Sequence, residues 1–186
     1  RKEFGVLYGR RRIGKSSILN EFLNGKKGIL FQAKQDNSYG NLKSFSYEVD
    51  HLLNLPDTFV FASWQHAFKS IQEYAKNERF VLIIDEYPYI VSQDSSFSSV
   101  LQEFIDHTSD NMMVILSGSD IGFLQREIQN HASPLYKRRT FEMEIKKMNY
   151  LTIKEIASQW NVATTTVTRY CIEGRISGAK KEDGKW

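Results

Sequence analysis

Residues 9–16 read Gly-Arg-Arg-Arg-Ile-Gly-Lys-Ser. Glycines with four residues between them let a backbone curl until several N–H groups face one point, and a lysine and a serine come directly after. An apolar run, residues 5–8, precedes this loop, and a helical pattern over residues 16–23 succeeds it. Strand, glycine-bounded loop and helix, in that order, commit a chain to an open parallel sheet whose first turn holds an anion. The loop's N–H groups and the helix dipole both favour negative charge there. Gly9, Arg12, Ile13, Gly14, Lys15, Ser16 and Ser17 are therefore the candidate nucleotide-binding residues. Lys15 is expected to reach the β- and γ-phosphates, and the Ser16 hydroxyl to ligate Mg²⁺.

A second motif fits the first. Residues 80–86 are Phe-Val-Leu-Ile-Ile-Asp-Glu, a continuous apolar strand ending in two carboxylates. Open α/β sheets bind ligands at the carboxyl ends of their strands, so these acids fall beside the loop. Asp85 would hold the Mg²⁺ water shell, and Glu86 would take a proton from the attacking water or orient it. An acidic pair can also merely end a strand; the loop upstream favours the chemical reading. Ser117 comes after the apolar residues 114–116, where it could face the γ-phosphate or lie in an ordinary turn. Arg138 and Arg139 precede the last strand; a guanidinium there could neutralise charge on a transferred phosphate, within the chain or across a subunit interface, or be solvated.

The rest of the chain alternates in the same way. Strands are predicted over residues 5–8, 28–31, 80–84, 112–116 and 141–145, with helices over 16–23, 41–53, 63–76, 96–107 and 121–128. Strands separated by helices imply a parallel sheet with right-handed crossovers. The serine-rich residues 94–99 read as a loop ending in a helix N-cap. With 41% hydrophobic and 13% aromatic residues the chain can bury a core. One cysteine, Cys171, excludes an internal disulfide and reads as packing on an apolar helix face, and no signal-like or membrane-length segment is present; the expected compartment is the cytoplasm. Four scattered histidines show no ligand spacing, so no metal is expected beyond nucleotide Mg²⁺. The net charge of +3 is too small to argue for nucleic acid by itself, although the excess leans toward the tail.

The pattern changes at Met148. Thr152 with Glu155 three residues later is a capping box, opening a short helix to Trp160. The turn Asn161-Val162 leads to a second helix over about 164–171, and Gly174, Gly178 and Gly184 punctuate the remainder as a small basic hairpin. Two short helices about a tight turn, then a hairpin, resemble a helix-turn-helix with a wing.

Tyr8 to Ser16, Leu82 to Tyr89, Leu116 to Ser119 and Ser133 to Thr140 together resemble the archaeal-type ATPases of prokaryotes, which stand with the AAA+ and STAND-like P-loop ATPases. The resemblance runs from residue 4 to about 147. It implies a three-layer α/β P-loop NTPase fold with sheet order 5-1-4-3-2, and ATP rather than GTP. The chain departs from the family at Lys137, where glycine is usual. It also implies a domain shortened at both ends: an upstream adenine-holding segment and a downstream helical lid are usual in the family. Residues 148–157, 160–162 and 173–179 are similar to excisionase-like, MerR-type helix-turn-helix modules. In these the second helix enters the major groove and the wing meets the backbone, so Thr164, Thr165, Thr166, Thr168, Arg169, Arg175 and Lys180 would face duplex DNA. A small helical appendage packed on the ATPase is the alternative for this tail.

Residues 1–147 are thus expected to be a P-loop ATPase domain and residues 148–186 a helix-turn-helix domain. The expected function is Mg²⁺-dependent ATP binding and hydrolysis by a chain that can form a homo-oligomer, coupled to DNA binding. The alternative is a DNA-binding regulatory or mobile-element protein whose shortened P-loop domain binds nucleotide weakly or is inactive.

Overall fold

The computed structural model describes residues 1–54, 56, 59–146 and 151–181. The chain divides into two compact units, Arg1–Lys146 and Lys147–Trp186. The expected boundary at Met148 lies outside the described residues.

In the first unit the elements run β1 (Glu3–Tyr8), α1 (Lys15–Leu23), β2 (Gly28–Gln32), α2 (Ser38–Leu53), α3 (Trp64–Tyr74), β3 (Phe80–Asp85), α4 (Pro88–Gln93), α5 (Phe97–His107), β4 (Met112–Gly118), α6 (Ile121–Gln129) and β5 (Phe141–Glu144). The strands form one sheet in the order β2-β3-β4-β1-β5, all parallel, which is the expected order read from the other edge. Right-handed crossovers then decide which helix covers which face. The chain crosses the sheet one way between β1 and β2 and returns the other way through β3, β4 and β5, so α1 lies on one face and the later helices on the other.

The two faces are packed differently. The later helices cover the large core, where Phe31, Phe45, Trp64, Phe68, Phe97 and Phe104 interlock. Phe68 stacks on Phe104 at 4.7 Å between centroids, and Trp64 meets Phe97 edge-on at 4.7 Å. On the other face Leu19 of α1 seals a smaller cluster with Leu7, Val81, Ile83 and Ile115. Close approach also fixes some glycines: a Cβ on Gly5 would lie 1.9 Å from the Phe141 ring.

Two details differ from the expectation. Helix α4 has only six residues and begins at Pro88, too short for periodicity to reveal. Ser96 does stand at the N-cap of α5, but its side chain does not cap the helix. Its hydroxyl and N–H both donate to Asp94 instead.

The second unit contains α7 (Ile153–Trp160) and α8 (Thr164–Ile172). Thr152 caps α7 through the reciprocal bonds with Glu155 that the spacing predicts. Asn161 ends α7 in the left-handed conformation, φ 52°, and turns the chain into α8. The core is small: Ala157, Val167 and Cys171, with Ile153, Ile156, Ile176 and Ala179 around them. Beyond α8 no strand occurs among the described residues, so residues 173–181 of the expected hairpin are irregular. Gly174 and Gly178 turn the chain at φ 67° and 80°; residues 182–186 of the expected wing lie outside the described residues.

Candidate functional site

The loop after β1 is fixed at both ends. Ile145, just past β5, donates its N–H to the Tyr8 carbonyl at 2.7 Å. A Cβ on Gly9 would stand 2.4 Å from the Ile145 carbonyl oxygen, so only glycine lets the loop leave the sheet here. At the other end Gly14 adopts φ 91° as the N-cap of α1, with nothing within 4 Å of where its Cβ would be. Arg12 also lies at positive φ, 62°. Helix α1 has no side-chain cap and no acidic residue in its first turn. Its first N–H groups therefore keep their polarity for an outside acceptor.

Lys15 carries the strongest sign of what that acceptor is. Its side chain is buried, and its ammonium donates to the carbonyls of Gly9 at 2.9 Å and Arg10 at 3.3 Å. No carboxylate pairs with it among the described residues. A buried cation held by neutral dipoles alone is costly, and a phosphate would supply the missing charge. Ser16 donates its hydroxyl to Oδ2 of Asp85 at 2.6 Å, across 69 residues of sequence. Asp85 is fully buried at the end of β3, and its Oδ1 accepts the Glu86 N–H at 3.0 Å. A hydroxyl and a carboxylate in contact beside a phosphate loop form a donor set suited to a hard cation such as Mg²⁺. The residues thus fit a phosphate chain and its metal.

Glu86 sits at φ 51°. Its Oε2 accepts two bonds from Ser119, one from the backbone N–H at 3.2 Å and one from the hydroxyl at 3.1 Å. Ser117 is fully buried on the sheet face that carries Asp85, and its Oγ has no hydrogen-bond partner among the described residues. Tyr87, next to Glu86, donates its N–H to the Ser117 carbonyl at 3.0 Å. The Tyr87 hydroxyl joins Ser98 and Glu127 at 2.6 and 2.9 Å; burial first, then the Glu127 charge, pushes this phenol well above its ordinary value. This network ties α5 and α6 to the end of β3.

Lys15, Ser16, Asp85 and Glu86 are thus brought together, with Ser117 buried on the same face as Asp85. The two arginines are not. Thr140 bonds to Phe4 at the start of β1, so Arg138 and Arg139 lie at the end of the sheet opposite the loop, roughly 15 Å away along the strand. Arg138 is bidentate to Asp106, with both bonds at 2.8 Å, and also donates to the Pro134 carbonyl at 2.7 Å. Arg139 pairs with Glu142 at 2.9 Å and donates to the Ile128 carbonyl at 3.1 Å. Neither reaches the loop of its own chain, which corrects the within-chain part of that expectation: local acceptors occupy both guanidinium groups. Sequence reasoning assigns no role to Ser119 or Tyr89, and leaves Arg11 between a surface and a phosphate-steering role. The only signal for Ser119 is the second serine of Ser117-Gly118-Ser119.

In the second unit Thr164, Thr165, Arg169, Arg175 and Lys180 are exposed, and Thr166 and Thr168 are partly buried. The Thr168 hydroxyl donates back to the Thr164 carbonyl at 2.9 Å. Arg169 and Arg175 share Glu173 at 3.8 and 3.6 Å, and Arg175 also lies 4.0 Å over the Tyr170 ring. No described helix is long and apolar enough to cross a membrane.

Comparison with known proteins agrees with this fold. An uncharacterized protein of Methanocaldococcus jannaschii is 26% identical over 155 residues, 82% of this chain and 33% of that protein. Among solved structures, the Aeropyrum pernix ORC1 protein in complex with DNA superposes with a TM-score of 0.57 at 12% identity, over 90% of this chain and 44% of that one. The Aeropyrum pernix ORC2 protein, in ADPNP–ADP complexes, gives 0.54 at 16% identity over 86% and 45%. Cdc6p from Pyrobaculum aerophilum gives 0.51 at 11% identity over 89% and 44%. These likenesses establish the fold. The chain spans a third of the curated relative and just under half of each of these structures. The profile of a family described as an ATPase domain predominantly from Archaea aligns with residues 1–162, through α7, and the chain belongs to that family.

Proposed function

We propose that this chain binds ATP with Mg²⁺ and hydrolyses it at the loop between β1 and α1. The observation that carries this reading is the buried Lys15 ammonium without a carboxylate partner among the described residues, beside the Ser16–Asp85 contact. Lys15 and the N–H groups from Arg12 to Ser17 bind the phosphates. Ser16 and Asp85 hold Mg²⁺, which when bound neutralises phosphate charge. Glu86 accepts a proton from the attacking water, and the buried Ser117 hydroxyl is placed to contact the terminal phosphate or that water. ATP rather than GTP is implied by the family resemblance. An ATP titration with and without Mg²⁺, then phosphate release, tests the reading. Mg²⁺-dependent binding with turnover supports it; absence of binding rejects it and leaves the first unit without this function.

A second activity is favoured by the tail. The first turn of α8 exposes Thr164 and Thr165, and its N-cap Ala163 makes no side-chain capping bond; Arg169 in the last turn and Arg175 and Lys180 beyond it are exposed, the two arginines pairing with Glu173. Uncapped helix N–H groups, hydroxyls and cations are the groups that contact a nucleic-acid backbone. Among the structural neighbours, the Aeropyrum pernix ORC1 protein is in complex with DNA. We read α7 and α8 as a helix-turn-helix that meets duplex DNA. Fluorescence anisotropy against random duplex at low salt tests it. Binding that fades as salt rises is expected, whereas no binding by the folded chain reduces the tail to a structural appendage.

A further inference from the structure

Arg11 belongs to the phosphate loop, yet the phosphate chemistry does not use it. Its Nη2–H donates to the Tyr89 hydroxyl at 3.0 Å, and its Nε–H to Ser119 Oγ at 3.4 Å. Ser119 in turn bonds Oε2 of Glu86 through both its N–H and its hydroxyl. The direction of this chain of bonds is fixed by chemistry. A guanidinium can only donate, so Ser119 Oγ accepts from Arg11, and its single proton is left for the carboxylate. A cation at the head of such a chain polarises the hydroxyl and strengthens its bond to an anion. Two donors thus saturate Oε2, while Oε1 has no hydrogen bond among the described residues.

We propose that Ser119 is the positioning residue for Glu86, and that Arg11, anchored by Tyr89, sets the direction of the Ser119 proton. Oε2 is held, and Oε1 is left to take the proton from water. The loop that binds phosphate and the carboxylate that handles water are then joined by one hydrogen-bonded path, Arg11–Ser119–Glu86. This rests on the reading of Glu86 as the general base.

Steady-state phosphate release by the full chain tests it, with Ser119→Ala, Ser119→Thr, Arg11→Lys, Glu86→Gln and the Glu86→Gln/Ser119→Ala double variant. Ser119→Ala is expected to lower kcat about tenfold, the size of one hydrogen bond to a charged group, with KM changed by less than about twofold. Ser119→Thr keeps the hydroxyl and restores the rate. Arg11→Lys keeps the charge but not the two-pronged geometry, and lowers kcat in the same sense. Removing a base leaves its positioner nothing to position, so the double variant turns over like Glu86→Gln alone. Thermal melts of each variant confirm folding. If Ser119→Ala slows the Glu86→Gln enzyme by its full factor, or alters only KM, Ser119 does not act through Glu86 and the inference falls. If Glu86→Gln turns over at the parental rate, the base assignment itself falls, and the inference with it.

Discussion

Replacing Arg138 with alanine separates the two roles open to an arginine just before the last strand. The structure gives it two bonds of 2.8 Å to Asp106 and one of 2.7 Å to the Pro134 carbonyl. Charge-assisted bonds of this kind are worth about 1.5–3 kcal/mol when dry. The two side chains are 29% and 37% exposed, so solvent screening removes much of that. About 1–2 kcal/mol remains, which lowers the melting temperature of a domain this size by roughly 3–6 °C. The hydrogen bond from Arg138, more than any other influence, holds the Asp106 carboxyl below its ordinary value. A depressed carboxyl stabilises the fold above its unfolded pKa and loses that contribution as pH falls through the folded value. The difference in melting between wild type and Arg138→Ala should therefore be full near neutral pH and close below about pH 4. Thermal melts across this range, with phosphate release at 25 °C, make the assay. Turnover should stay near the parental rate, since Arg138 lies at the far end of the sheet. An arginine acting on the transferred phosphate is worth about 10³-fold or more. A loss of that order with an unchanged melting temperature would refute the structural role.

Gly14→Ala adds a methyl group that meets nothing within 4 Å, so its whole effect is backbone strain at φ 91°. It should cost about 1–3 kcal/mol and weaken ATP binding measured by titration; unchanged stability and affinity would mean that the loop does not need this conformation. Thr152→Ala removes one half of the capping box on α7. About 1 kcal/mol of stability should be lost from the second unit, seen as earlier loss of its amide exchange protection while the first unit is unaffected.

What the sequence made legible divides along physical lines. The five strands and the helix after the phosphate loop were readable because burial imposes period and composition on a continuous stretch, as in Phe80 to Ile84. The nearness of Asp85 to the loop was readable because open parallel sheets gather the carboxyl ends of their strands on one rim. Helix α4 was not, since six residues starting at proline show no period. The Arg138–Asp106 pair spans 32 residues of sequence and links two exposed-looking polar residues, so no local pattern marks it. The same holds for Ser119: in Ser-Gly-Ser either hydroxyl could serve, and only the backbone at the end of β4 turns the second toward Glu86. Beyond α8 the glycines announced turns but not strands, because positive φ at Gly174 and Gly178 suits either a hairpin or an irregular path.

The assignment of the loop from Gly9 to Ser16 as the phosphate site for ATP rests on Lys15. Calorimetric titration of Mg–ATP into the full chain, and into its Lys15→Ala variant, is the decisive comparison. Lys15 is buried with only two carbonyls as partners among the described residues, so the variant should lose about 10- to 100-fold in affinity, the worth of a charged hydrogen bond to phosphate, while its melting temperature without nucleotide holds or rises. Equal affinity of the two proteins for ATP would overturn the assignment.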